Sequence, residues 1–148
     1  METEREFIIE ILKHLGELDY IEPGSIPDID LYMDQVTTFM DSHLEHSKRY
    51  PEDKILTKTM INNYAKNDLL PPPEKKKYTK DHMLILTWIY YYKNLLSISD
   101  IETLLGPLKE YYFAKDGDHN LEDVYERVYD LCRKQRNSYV KDILNKYK

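Results

Sequence analysis

Cysteine is almost missing from this chain: Cys132 stands alone among 148 residues. That excludes an internal disulfide and any metal centre built from a cysteine cluster, and leaves Cys132 the part of a small hydrophobe on a helix. Glycine is scarce as well, with four positions in all, and none of them forms a glycine-rich phosphate loop. A nucleotide-driven enzyme therefore lacks its most recognisable part. No apolar run approaches bilayer length, and no charged-then-apolar leader opens the chain, so a soluble, cytoplasmic protein with no membrane partner is expected. Convergent catalytic groups are lacking too. His14, His43, His46, His82 and His119 are scattered, and no Ser/His/Asp or Cys/His arrangement can be read from their spacing. The chain is not expected to be an enzyme, and no cofactor is expected.

What is present is the make-up of a folded domain. Hydrophobic residues at 41% and charged residues at 32% argue against wholesale disorder, and this length corresponds to one domain with a core of its own. Apolar positions repeat at three and four almost everywhere, which predicts an all-α fold. Phe7, Ile8, Ile11, Leu12 and Leu15 make one face of a first helix, with Gly16 at the position just after its end. Ser25 is placed to cap a second helix, with Pro27 in its first turn, Asp28 at the capping-box position and a stripe of Ile29, Tyr32, Met33, Val36, Phe39, Met40 and Leu44. Arg49-Tyr50-Pro51 interrupts the pattern. Thr57 caps a short third helix that runs to about Asn67, and Pro71–Pro73 then hold the chain extended.

Thr79 caps a fourth helix, Lys80–Asn94, apolar nearly all round and so expected at the centre. Ser97-Ile98-Ser99-Asp100 opens a fifth that ends near Gly106-Pro107. Leu108–Asn120 reads as a connector, and Asn120 or Asp123 caps a long last helix. The expected plan is one domain over residues 1–148: an N-terminal helix (1–22), a central core (25–106), then a connector and C-terminal helix (107–148).

Two constellations stop short of metal chemistry. His43 and His46 have a spacing zinc can use, but no further ligand pair accompanies them. Asp116, Asp118 and Asn120 match the opening of a calcium loop, yet Leu121 stands at the turn glycine and Arg127 at the bidentate glutamate. The tyrosine-rich runs Tyr90–Tyr92 and Tyr111-Tyr112 are either core and boundary residues or the lining of a small-molecule effector pocket.

Charge singles out another segment. From Lys54 to Lys80 seven lysines face only Asp68 and Glu74, a local net of +5 inside a chain of net −6. A positive stripe on a negative body fits one polyanionic partner. The third helix would expose Thr57, Lys58, Thr59, Asn62, Asn63 and Lys66, with Lys75, Lys76 and Lys77 on the loop beyond. Asn amides pair bidentately with adenine, while Lys and Thr meet phosphates and base edges. A solvated lysine-rich loop accounts for the composition equally well.

Residue order adds to that reading. Ile61-Asn62-Asn63-Tyr64-Ala65-Lys66-Asn67-Asp68-Leu69-Leu70-Pro71 resembles the recognition-helix end of MerR-type regulators, where an Ile-Arg-Tyr-Tyr-Glu-type helix runs into Gly-Leu-Leu-Pro. Lys76-Lys77-Tyr78-Thr79 resembles that family's Arg-Arg-Tyr-Ser/Thr, and Leu95–Ile101 its Gly-Phe-Ser-Leu-Glu-Glu-Ile. The match covers roughly Thr57–Leu105. It departs at Asn62 and Asn63, where those regulators carry arginine and tyrosine, in a shortened wing without a glycine turn, and in a long link before the third helix. The resemblance implies a helix-turn-helix with a short wing-like loop, in which Tyr64, Lys76 and Lys77 touch the DNA backbone, Tyr78 joins Lys75–Lys77 in holding the flanking backbone and Asn62 reads bases.

A second resemblance runs from Ile26 to Leu105. Ile26–Thr37, Leu56–Tyr64 and Pro72–Tyr78 are similar to the bacterial domain-of-unknown-function family 1836, which implies a compact helical protein and no established activity. The expected function is a DNA-binding transcriptional regulator acting on double-stranded DNA, paired as a homodimer through residues 121–147. The alternative is a helical protein-interaction module without DNA affinity.

Overall fold

In the computed structural model the residues described are 3–17, 21–48, 50–117 and 120–146, with side chains of the first helix described as far as Leu12. The expectations that named the side chains of His14 and Leu15, and those on Arg49, Asp118, His119 and Tyr147, lie outside the described residues.

Within them the chain forms α1 (Glu4–Glu17), β1 (Leu31–Tyr32), α2 (Met33–His43), α3 (Lys58–Lys66), β2 (Lys77–Tyr78), α4 (Lys80–Tyr92), α5 (Ile98–Tyr112) and α6 (Leu121–Lys146). The all-α expectation holds, with one small antiparallel pair added in the register Leu31 opposite Tyr78 and Tyr32 opposite Lys77.

The hub is α4. Every residue from His82 to Tyr90 is buried, as its all-round apolar character requires. The Trp88 ring meets Tyr125 of α6 with centroids 5.3 Å apart. The Tyr125 hydroxyl donates to the Ile21 carbonyl at 2.6 Å, which ties the segment after α1 to the centre of the fold. From α3, Ile61 enters the core together with Leu69 and Leu70 just beyond it, and from α5 Ile101 and Leu105 do the same.

Several boundaries differ from those expected. The second helix begins at Met33, and Pro23–Ser25 forms a single 3-10 turn instead of its cap. Ile29 is 66% exposed while Val36 is buried, whereas a helix running unbroken through this stretch would put the two, seven residues apart, on one face. The reciprocal contact sits further on, where the Tyr32 amide donates to Gln35 Oε1 at 2.9 Å. Pairing with Tyr78, distant in sequence, is what keeps Leu31–Tyr32 extended. The fifth helix continues through Gly106-Pro107 to Tyr112. Proline forfeits one amide there, but Leu105 on one side and Leu108 and Tyr112 on the other pack against the core and hold the helix together.

Gly16 lies inside α1 rather than after it. Of that helix's expected face, Phe7 (55%) and Ile11 are exposed, and Ile8 and Leu12 are half-buried. Leu121 and Tyr125 are the buried residues of α6, a helix about 39 Å long at 1.5 Å per residue.

Candidate nucleic-acid interface

The third helix forms within a residue of its expected bounds, because its signals are local. Thr57 Oγ1 accepts the Met60 amide at 3.2 Å, the cap that a threonine at this position provides. Ile61 is fully buried with Met60 and Tyr64 packed beside it, leaving Lys58, Thr59, Asn62, Asn63 and Lys66 exposed together. Thr57 is half-buried. Tyr64 is half-buried against the core, and burial raises its phenol above its ordinary value. Asp68, just past the C-cap, takes φ +58°, and the Tyr64 carbonyl accepts both Leu69 N–H at 2.9 Å and Leu70 N–H at 3.1 Å. This left-handed ending satisfies the last carbonyls of the helix and turns the chain into the core.

After Pro71–Pro73 the chain makes a hairpin turn. The Lys77 amide donates to the Glu74 carbonyl at 2.9 Å, and Lys75 and Lys76 between them take φ +50° and +65°. Two successive positive φ values define the I′ turn class, whose usual residues are Asn and Gly. Both lysines are exposed. Lys77 is half-buried with its ammonium 5.3 Å from the Tyr32 ring centroid.

Tyr78 corrects the expectation. It is only 3% exposed, facing inward opposite Leu31, with its ring edge-on to His82 at 5.5 Å. Burial raises its phenol above the ordinary value. Alternation in a two-residue strand sends Lys77 to the surface side and Tyr78 to the core, so Tyr78 leaves the set of surface contacts.

His82 holds both shoulders of the hairpin and was not singled out from the sequence. Its Nδ1 accepts the Thr79 amide at 3.0 Å, and its Nε2 lies 3.3 Å from the Pro72 carbonyl. Since Nδ1 accepts, Nε2 carries the proton and donates to Pro72. Phe113 packs edge-on from α5's end at 5.0 Å. Burial lowers the His82 pKa, against the opposing pull of the Pro72 and Pro71 carbonyls, Asp81 and Asp30. The available signal was Thr79-x-x-His82, a capping-box spacing with histidine in the place of glutamate.

The positive stripe is narrower than the lysine count implies. Lys58 pairs with Asp34 in the first turn of α2. Lys80 is held by Asp28 at 2.9 Å and Glu122 at 2.7 Å; burial lowers its pKa, but those two carboxylates outweigh burial and the net shift is upward. Lys80 therefore joins α4 to α6 and to the segment before β1. Lys54, Lys66, Lys75 and Lys76 remain exposed. Tyr32 and Asp34, two residues apart, bring the hairpin (through Lys77) and the start of α3 (through Lys58) to the same end of α2.

The other candidates disperse. His43 stacks on Phe39 at 4.0 Å, with Nδ1 3.0 Å from the Phe39 carbonyl, and among the described residues no three metal-ligating side chains converge. Tyr90 is buried with its hydroxyl on Ser47 Oγ, Tyr91, Tyr92 and Tyr112 are half-buried, and Tyr111 is exposed. That spread puts the tyrosines in core, boundary and surface rather than around one chamber. None of the described helices is long and apolar enough to cross a membrane.

The fold and this surface define an all-α protein with a capped, outward-facing short helix beside a lysine-tipped hairpin. The chain belongs to the family described as Domain of unknown function (DUF1836), whose match covers residues 21–128. Comparison with curated proteins and with solved structures found no match.

Proposed function

We propose that the protein is a non-catalytic, DNA-binding transcriptional regulator of MerR-like helix-turn-helix type. In this reading α3 enters a major groove of double-stranded DNA, Asn62 and Asn63 meet base edges, and Lys58, Thr59 and Lys66 meet phosphates. Lys75–Lys77 hold the flanking backbone. The observation that carries the reading is the single outward face of α3, which presents two amides, a hydroxyl and two lysines together while Ile61 anchors the opposite face. In vitro selection from a random duplex pool tests it. The wild type is expected to enrich one motif, and Asn62→Ala to relax one base position at a loss of about 1–3 kcal/mol. A pool that stays random overturns the reading.

Two copies would pair through α6, where Leu131 (66%) and Tyr139 (58%) are exposed beyond the buried start of the helix. A two-fold protein would then meet a two-fold site. A second reading, a protein-interaction module without DNA affinity, is favoured by the Lys58–Asp34 pair, which sets a carboxylate against the start of the proposed reading helix.

A further inference from the structure

A two-residue I′ turn asks for φ above zero at both central positions, a demand that Asn-Gly meets with least steric cost. This hairpin meets it with two lysines. Its surroundings leave them little freedom to relax. Glu74 and Lys77 close the turn by a backbone hydrogen bond, Tyr78 is buried opposite Leu31, and Lys77 lies over the Tyr32 ring. His82 grips the Pro72 carbonyl on the incoming arm and the Thr79 amide on the outgoing arm. Side-chain β-carbons make the left-handed region unfavourable for lysine. The nearest acidic side chain in the turn, Glu74, is exposed. Backbone strain of this kind persists where the neighbouring structure over-determines it, and it concentrates at ligand clamps.

We infer that Lys75-Lys76 is a preorganised phosphate clasp: the hairpin holds two adjacent cations at its tip, in a conformation lysine disfavours, for the backbone of a nucleic-acid duplex. The inference rests on the DNA-binding reading and adds a mechanism to it. The loop gives up stability to fix the directions in which the two side chains leave the backbone before the partner arrives, so that less of the loop remains to be ordered on binding.

Two double variants of the full chain, both without the two charges, isolate the strain, and each against the wild type reads the charges. Lys75→Asn with Lys76→Gly relieves the strain and removes both charges; Lys75→Gln with Lys76→Gln removes the charges and keeps the strain. Thermal unfolding is expected to show the Asn-Gly variant melting roughly 3–8 °C above the Gln-Gln variant. In anisotropy titrations on a duplex over a salt series, both variants are expected to lower the slope of log K against log salt by ~1.8, the value for two lost phosphate contacts. Equal melting temperatures overturn the strained geometry. An unchanged slope in both variants, with the wild type binding, overturns the clasp and leaves DNA binding to α3 and Lys77. Absence of salt-dependent binding by the wild type removes the DNA reading itself, and the clasp with it.

Discussion

His82 reaches across the hairpin to Pro72: the Nε2 atom lies 3.3 Å from that carbonyl while Nδ1 of the same ring accepts the Thr79 amide at 3.0 Å. One neutral tautomer satisfies both contacts, and a second proton would set two donors against each other at Nδ1. Because burial depresses the His82 pKa in the folded state, the unfolded chain takes up its proton first. The stability contributed by the neutral ring is complete above the ordinary value near 6.5 and is lost as pH falls below it toward the folded value. Asp81, whose carboxyl is raised by burial, acts in the opposite sense at more acidic pH.

Denaturant melts of the wild type between pH 7.5 and 5 are therefore expected to show falling stability. His82→Gln, which retains an acceptor for the Thr79 amide, should flatten that dependence. His82→Ala should lose about 2 kcal/mol at pH 7.5, through the emptied space and the unsatisfied backbone groups. A wild type equally stable across this range contradicts the tautomer assignment.

At the end of α3, Asp68 occupies a left-handed position at φ +58° that glycine fills without steric cost. Asp68→Gly is expected to raise stability by about 0.5–1 kcal/mol. The contact from Lys109 goes to the Asp68 carbonyl and survives the substitution. A lower melting temperature would contradict the capping geometry.

The exposed Lys58–Asp34 pair adds little to stability, since surface ion pairs contribute about 0–1 kcal/mol. It does place a carboxylate beside the proposed DNA surface. Asp34→Asn should leave thermal unfolding nearly unchanged and tighten duplex binding several-fold at low salt, with the two proteins converging as salt rises. Weaker binding by the variant would contradict this placement of Asp34.

Pairing through α6 is tested by light scattering. The wild type is expected to behave as a dimer at micromolar concentration, and Leu131→Asp with Tyr139→Ser as a monomer of unchanged helicity. A monomeric wild type at high micromolar concentration discards the pairing.

Elements governed by neighbours in sequence were legible before the structure. Thr57 with its i+3 amide and the Ile61 side of α3 define both the helix and its outward face, and the nearly all-apolar run Met83–Tyr90 defines the hub. Elements governed by distant partners were not. The two residues of β1 are extended because Tyr78 and Lys77 pair with them, and α5 survives Pro107 because residues on both sides of it are packed. Tyr78 was misplaced for the same reason, since its inward direction follows from that pairing. The surface lysines were countable, but their partners Asp34, Asp28 and Glu122 come from other elements, and only the fold shows how much of the positive stripe is already neutralised.

Duplex binding across a salt series, comparing the wild type with Lys75→Ala/Lys76→Ala/Lys77→Ala, tests the central claim most directly. Fluorescence anisotropy should show wild-type binding that weakens steeply with salt, and a triple variant whose log–log slope is smaller by ~0.9 for each phosphate contact removed. No binding at low salt, or identical slopes for the two proteins, would contradict a role for this surface in holding DNA.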